Sequence, residues 1–134
     1  MSNEASVIEL LGHNSSGDVM SFTCAAGTAI TQGCLMILSD PRTIAKHATT
    51  IGGLFAGVAS ADKDASDTST SLGVYTNGVF KMAASGTINA GDQVIVSSVA
   101  NYVESSNTCI QNSKIVGTAL DNASGSLVSV RVLN

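Results

Sequence analysis

Short stretches of alternating apolar and polar residues run along this chain, broken every ~8–12 residues by Gly, Pro, Asn or Ser, a rhythm that suits strands and turns. From Asp18 to Cys24, Met20, Phe22 and Cys24 fall on one face, with Ser21 and Thr23 on the other. Gly33 opens a second strand through Leu38, and Asp40-Pro41 ends it because proline has no donor for a ladder. Ile44–His47 and Leu54–Ala59 read as shorter strands. Leu72, Val74 and Thr76 alternate up to Asn77-Gly78, a two-residue hairpin signal leading into Val79-Phe80-Lys81-Met82. Asp92–Val96, Tyr102-Val103 and Ile115–Leu120 add further strands. In the last, Leu127–Leu133, Val128, Val130 and Val132 face one way and Ser129 and Arg131 the other. No window sustains a helical period; at most one short turn around Ile88-Asn89-Ala90 is helical. The pattern predicts an all-β fold, a small β-barrel or β-sandwich of short antiparallel strands.

The pattern also occurs twice. Val19 to Leu38, with Gly27-Thr28, Ile30 and Gly33, matches Val79 to Val96, with Gly86-Thr87, Ile88 and Gly91. The offset is 60 at Val19 and Val79, 59 at Gly27 and Gly86, and 58 at Gly33 and Gly91. Leu54–Ala59 pairs with Lys114–Ala119 at an offset of 60, so the register holds across half the chain. Two units are too few for a solenoid. The expectation is a single β domain over 17–134 made of two related halves, about 17–77 and 78–134, each burying its apolar face by closing on the other. Gly27, Gly33, Asn77, Gly78, Gly86 and Gly91 are its structural turns. Residues 1–16 precede the repeat as an N-terminal arm or edge strand, and Val7, Ile8, Leu10 and Leu11 are the candidate contact residues, since an unpaired strand edge is a template for pairing.

Composition narrows the function. Only 12% of the residues are charged, about half of the ~25% usual in soluble domains. So weakly charged a surface suits packing against neighbours. A net charge of −4, with six Lys and Arg scattered singly, offers no basic stripe and argues against nucleic acid. The acidic start Met1–Ser6 does not read as a signal peptide, and no apolar run approaches the ~18 residues of a membrane span, so the expected site of synthesis is a cytoplasm, with no membrane partner. Cys24, Cys34 and Cys109 are odd in number and lack CxxC spacing, and read as small buried hydrophobes.

Chemistry is sparse. His13 and His47 have no second ligand at useful spacing and read as surface or turn histidines. There is no Gly-x-Ser-x-Gly elbow and no phosphate-cradling glycine loop. Asp62, Asp64 and Asp67 sit in the polar stretch Ser60–Ser71 without the glycine and distal glutamate of a calcium loop, so that stretch reads as a solvated loop. Neither catalytic residues nor a cofactor or metal is expected. Phe80-Lys81-Met82 is similar to the Lys-Met element of biotinyl and lipoyl carrier domains, which makes a carrier using Lys81 the alternative. Lys81, however, lies within a strand rather than at the turn. A fibre or pilus subunit is a further alternative.

Gly17-Asp18-Val19, Gly27-Thr28 with Gly33, Ala56–Ala59, Gly78–Met82, Ile88–Val94 and Val116–Leu120, closing on Val128–Val132, together resemble the capsid cement or head decoration proteins of tailed viruses. Order and spacing carry the match over about 17–134. This chain departs from the family pattern in its long Asp/Ser loop, in Tyr75-Thr76-Asn77 before the central hairpin, and in having Ile95-Val96-Ser97 where an aromatic would follow Val94. The resemblance implies a non-enzymatic protein of the virion surface, made in the host cytoplasm, whose partners are the major capsid protein and itself. It further implies that the protein bridges capsid subunits as a homotrimer or, secondarily, a homodimer.

Overall fold

The computed structural model describes residues 4–10, 19–48, 53–106 and 114–133, and among them it is almost entirely β. The first half forms β2 (Val19–Cys24), β3 (Leu35–Asp40), β4 (Thr43–Lys46), β5 (Phe55–Ala59) and β6 (Ser71–Tyr75), which close into a barrel in the order β2-β4-β3-β5-β6. The second half forms β7 (Asn77–Ala84), β8 (Gln93–Val96), β9 (Tyr102–Ser105), β10 (Ile115–Ala119) and β11 (Leu127–Leu133). These join as β7-β11-β10-β8-β9, and a β7–β9 pairing closes the circle. The remaining strand, β1 (Ser6–Leu10), lies outside the second barrel and pairs with β7.

Both barrels use the same pairings. A parallel contact joins first to third strand in each, Thr23 to Thr43 and Cys24 to Ile44 in barrel one, Ala83 to Tyr102 and Ala84 to Val103 in barrel two. All other pairings within the barrels are antiparallel. Even irregularities recur. The register slips between Met36 and Ile37 opposite β5, and between Ile115 and Gly117 opposite β8, at corresponding points of the two barrels. Loop hydrogen bonds repeat as well: Gly33 N–H donates to Ala59 O at 3.0 Å and Gly91 N–H to Ala119 O at 2.8 Å. The fold is therefore all-β with internal duplication, in the form of barrels rather than a sandwich.

Each half rolls up on itself, where the sequence suggested closure of one half on the other. The parallel first-to-third contact lets five short strands close into a ring with no edge between them, satisfying the backbone locally. Inward positions then fill the barrels. Phe80, Met82, Val94, Val96, Val103, Val128, Val130 and Val132 are fully buried in barrel two, each contributing about 1.5–3 kcal/mol by removal from water. Leu35, Phe55 and Val58 of barrel one belong to this same cluster, so the barrels share apolar contacts. Cys24, Ile30, Cys34, Met36, Ile44, Leu72 and Val74 form the smaller core of barrel one. Cys24 and Cys34 are thus the small buried hydrophobes expected, while Cys109 lies outside the described residues.

Counting the closure of each half on itself, four readings change. Asn77 and Gly78 make no hairpin; they begin β7, one residue after β6 ends. The apolar positions of β6, Leu72 and Val74, fill barrel one and those of β7 fill barrel two, so the chain crosses between barrels where a local turn would fold it back. The turn Asn89–Asp92, closed by Asp92 N–H to Asn89 O at 3.0 Å, is not helical, in keeping with the expectation of little or no helix. By contrast, the turns at Gly27, Gly33, Gly86 and Gly91 are present, with φ of 80°, 93°, 75° and 89°.

The third change concerns His47, which is 2% exposed. Asn101 N–H donates to Nδ1 at 3.2 Å, which fixes Nδ1 as acceptor. Nε2 then carries the proton and donates to Ser97 O at 2.7 Å. Asn101 completes the knot, its Oδ1 accepting from Leu35 N–H at 3.1 Å and its amide approaching Cys34 Sγ at 3.9 Å. This buried polar contact joins barrel one to barrel two, and its partners lie 50 or more residues apart in sequence. His13 lies outside the described residues.

The fourth lies in the polar stretch 60–71, which is mostly exposed, as expected of a solvated loop, but buries Lys63 and is tied down. Lys63 is 4% exposed, its ammonium donating to Thr28 O at 3.3 Å and Asp67 O at 3.0 Å, while its backbone bridges Ile30. Asp62 Oδ1 accepts from Gln32 N–H at 2.7 Å, and Asp67 Oδ1 from Ser69 N–H at 2.8 Å. These carboxylates hold turns together. Among the described residues, no group of three or more His, Cys, Asp or Glu is placed to hold a metal.

Candidate capsid and subunit interface

An edge strand with apolar side chains turned to water is a contact surface by its physics, since it offers both backbone donors and area to bury. β1 is such a strand. Ser6 opposes Lys81, Val7 opposes Phe80, Glu9 opposes Val79 and Leu10 opposes Gly78, with a bulge at Ile8. The bulge turns Ile8 outward, 51% exposed, beside Val7 at 43%. Leu10 packs on the shared core instead, and Leu11 lies outside the described residues. Of the four residues expected to make contact, two are therefore exposed and one serves the fold.

The same segment fastens the barrels together. Ala5 N–H donates to Gly33 O of barrel one at 2.8 Å, while the strand proper lies on barrel two. Gly33 is required here twice over: its φ of 93° disfavours a side chain, and an added Cβ would stand 2.3 Å from Ala5 O. The strap also carries unsatisfied chemistry. Glu4 Oε2, at its start, and Asn77 Oδ1, beside the Gly78–Leu10 pair at its end, are buried with no hydrogen-bond partner among the described residues. An open cleft of about 330 Å³ runs beside it, lined by Ser6, Val7, Gln32, Gly33, Ala59 and Tyr75 among others. Among the described residues that line it, the cleft holds no pairing of nucleophile and base.

Lys81 sits in mid-strand between Ser6 and Ser129, its side chain in solvent, which is not the turn position of a carrier lysine. A second exposed apolar surface, not singled out by sequence reasoning, is the start of β2, where Val19 and Met20 are 52% and 45% exposed. Alternation alone placed Met20 on the inward face with Phe22 and Cys24. The match to Phe80 at the same repeat position reinforced that placement, so no signal in the sequence marked Met20 as exposed.

With this geometry in hand, comparison with known proteins is informative. A family model for phage cement proteins matches residues 14–133, and the chain belongs to that family. It is accordingly a phage capsid-associated structural protein, and its place is the virion. Among solved structures, it is similar to the N base of the head fiber protein gp8.5 of bacteriophage phi29, with a TM-score of 0.55 at 20% identity. That likeness covers 86% of this chain and 94% of the other, and at this identity it speaks for the fold. No curated protein matches this chain.

Proposed function

We propose that the protein decorates the outer surface of an icosahedral phage head and stabilises it by bridging neighbouring major capsid subunits. It does so as a small homo-oligomer, first of all a trimer, made in the host cytoplasm and assembled onto the head. In this reading residues 17–134 are the structural body and the N-terminal segment supplies part of the contact, through Val7 and Ile8. The observation that carries it is the strap: one segment, Ala5 with β1, touches both barrels and turns two apolar side chains, Val7 and Ile8, to water. A capsid surface that covers the strap would take the Val7 and Ile8 side chains out of water. Weak contacts of this kind, repeated over a shell, add up by multivalency.

Cosedimentation of the purified chain with heads containing the matching major capsid protein tests the reading. Saturable binding at a fixed ratio, with heads that survive more heating, is the expected result. The Val7→Asp/Ile8→Asp double variant should lose binding while its own unfolding midpoint stays put, because both positions are exposed. Absence of wild-type binding at any ratio would sink the proposal.

A further inference from the structure

We infer that copies of this protein join head to tail, the uncovered end of barrel one in one copy seating on the far face of barrel two in the next, as barrel two seats on barrel one within the chain. The inference rests on the self-association part of the proposed function and names its surface. The repeat supplies the argument, because strand register fixes which residue of one barrel corresponds to which of the other. Leu35 pairs with Val58 as Gln93 pairs with Thr118, and Val58 with Tyr75 as Thr118 with Arg131. In barrel one these positions, with Phe55, are covered by barrel two: Leu35, Phe55 and Val58 are buried in the shared core, and the Tyr75 ring lies 6.0 Å from Phe80. In barrel two, Thr118 and Arg131 are exposed and Gln93 is half-buried. The opposite face behaves the same way. Phe80 and Met82 are wholly buried against the shared core, whereas their counterparts Met20 and Phe22 are exposed and half-buried.

The internal junction is not two-fold. A two-fold junction uses each correspondence twice, so the contact of Asn101 with Cys34 and Leu35 would be matched by its counterpart, Arg42 with Asp92 and Gln93. Instead Arg42 donates to Ser21 O of its own barrel at 2.9 Å and lies 5.8 Å over the Phe22 ring, and Asp92 accepts from Asn89 N–H and Ser105 Oγ. The junction therefore joins two different faces, and among the described residues one face of each kind is left uncovered. Arg42 and Asn101 stand at the same turn position, both at positive φ, 50° and 63°. Repeating the junction between copies sets the Arg42 guanidinium of one opposite the Asp92 carboxylate of the other, a cation facing an anion where the internal junction has a neutral amide facing a thiol. Met20, the counterpart of Phe80, comes under cover in the same step.

Sedimentation velocity on the full chain tests this with two variants at exposed positions, Met20→Asp on one face and Thr118→Arg on the other. Wild type should sediment as an oligomer and each variant alone as the 13.5 kDa chain. An equimolar mixture should give a species of twice that mass, since each variant keeps the face the other has lost. A monomeric wild type, variants that keep the wild-type mass, or a mixture that stays monomeric would overturn the inference. Capsid cosedimentation is read separately, so failure to bind heads and failure to form this junction remain distinguishable.

Discussion

The two barrels have the same strand order, the same parallel closure and the same register slip, and differ chiefly in what lies against them. Barrel two has barrel one against one end and β1 along β7, and its Phe80 is wholly buried. The corresponding residue of barrel one, Met20, is 45% exposed on a strand of the same parity. Gly33 is pressed under the strap, while Gly91, at φ 89°, has open space where a Cβ would go. Asn101 is buried in a polar knot, and Arg42 lies on the surface. The difference teaches that strand pattern sets the barrel, whereas burial at its ends is set by neighbours.

The largest expected effect is at the shared core. Phe80→Ala should cost about 3–5 kcal/mol in chemical denaturation, and Met20→Ala within about 0.5 kcal/mol when the chain is dilute enough to be monomeric. Equal costs would mean that the ends of the barrels are alike after all. Next comes the glycine pair. Gly91→Ala should cost about 1–2 kcal/mol for the left-handed backbone alone. Gly33→Ala adds about 1–3 kcal/mol for the collision with Ala5 O. Hydrogen exchange at the Ala5 amide should accelerate in Gly33→Ala and not in Gly91→Ala, which identifies the strap as what came loose. The smallest effect belongs to the polar knot. Asn101→Gly keeps the positive φ but strands the buried Leu35 N–H, at about 1–3 kcal/mol, while Arg42→Gly at the matching turn should leave monomer stability within about 0.5 kcal/mol. A midpoint shift for Arg42→Gly as large as for Asn101→Gly would break the comparison at this point.

Much of this was legible in the order of residues. The offsets of 58 to 60 between halves mark pairs that occupy equivalent strands, and the glycines at 27, 33, 86 and 91 sit where a left-handed turn is needed. Other features were hidden for identifiable reasons. Asn77-Gly78 carries the local chemistry of a hairpin, but β7 gains more by pairing with β11 along Asn77–Ala83 than by folding back on β6. His47 looked isolated because its partners, Ser97 and Asn101, arrive from the other barrel. Lys63 looked solvated because its acceptors are backbone carbonyls, which leave no mark on a sequence. Within the candidate interface, Val7 and Ile8, expected as contact residues, lie exposed, while the role of Leu10 in the core depended on where β1 came to rest.

By itself the sequence determined what depends on neighbours along the chain: period-two strands, glycine turns and a repeated unit, since side-chain parity and backbone φ are local properties. Tertiary structure alone decided that each half closes into its own barrel, that β1 straps the two together, and which ends stay uncovered. Those outcomes rest on contacts between residues far apart in sequence, whose free energy exists only once the barrels have met.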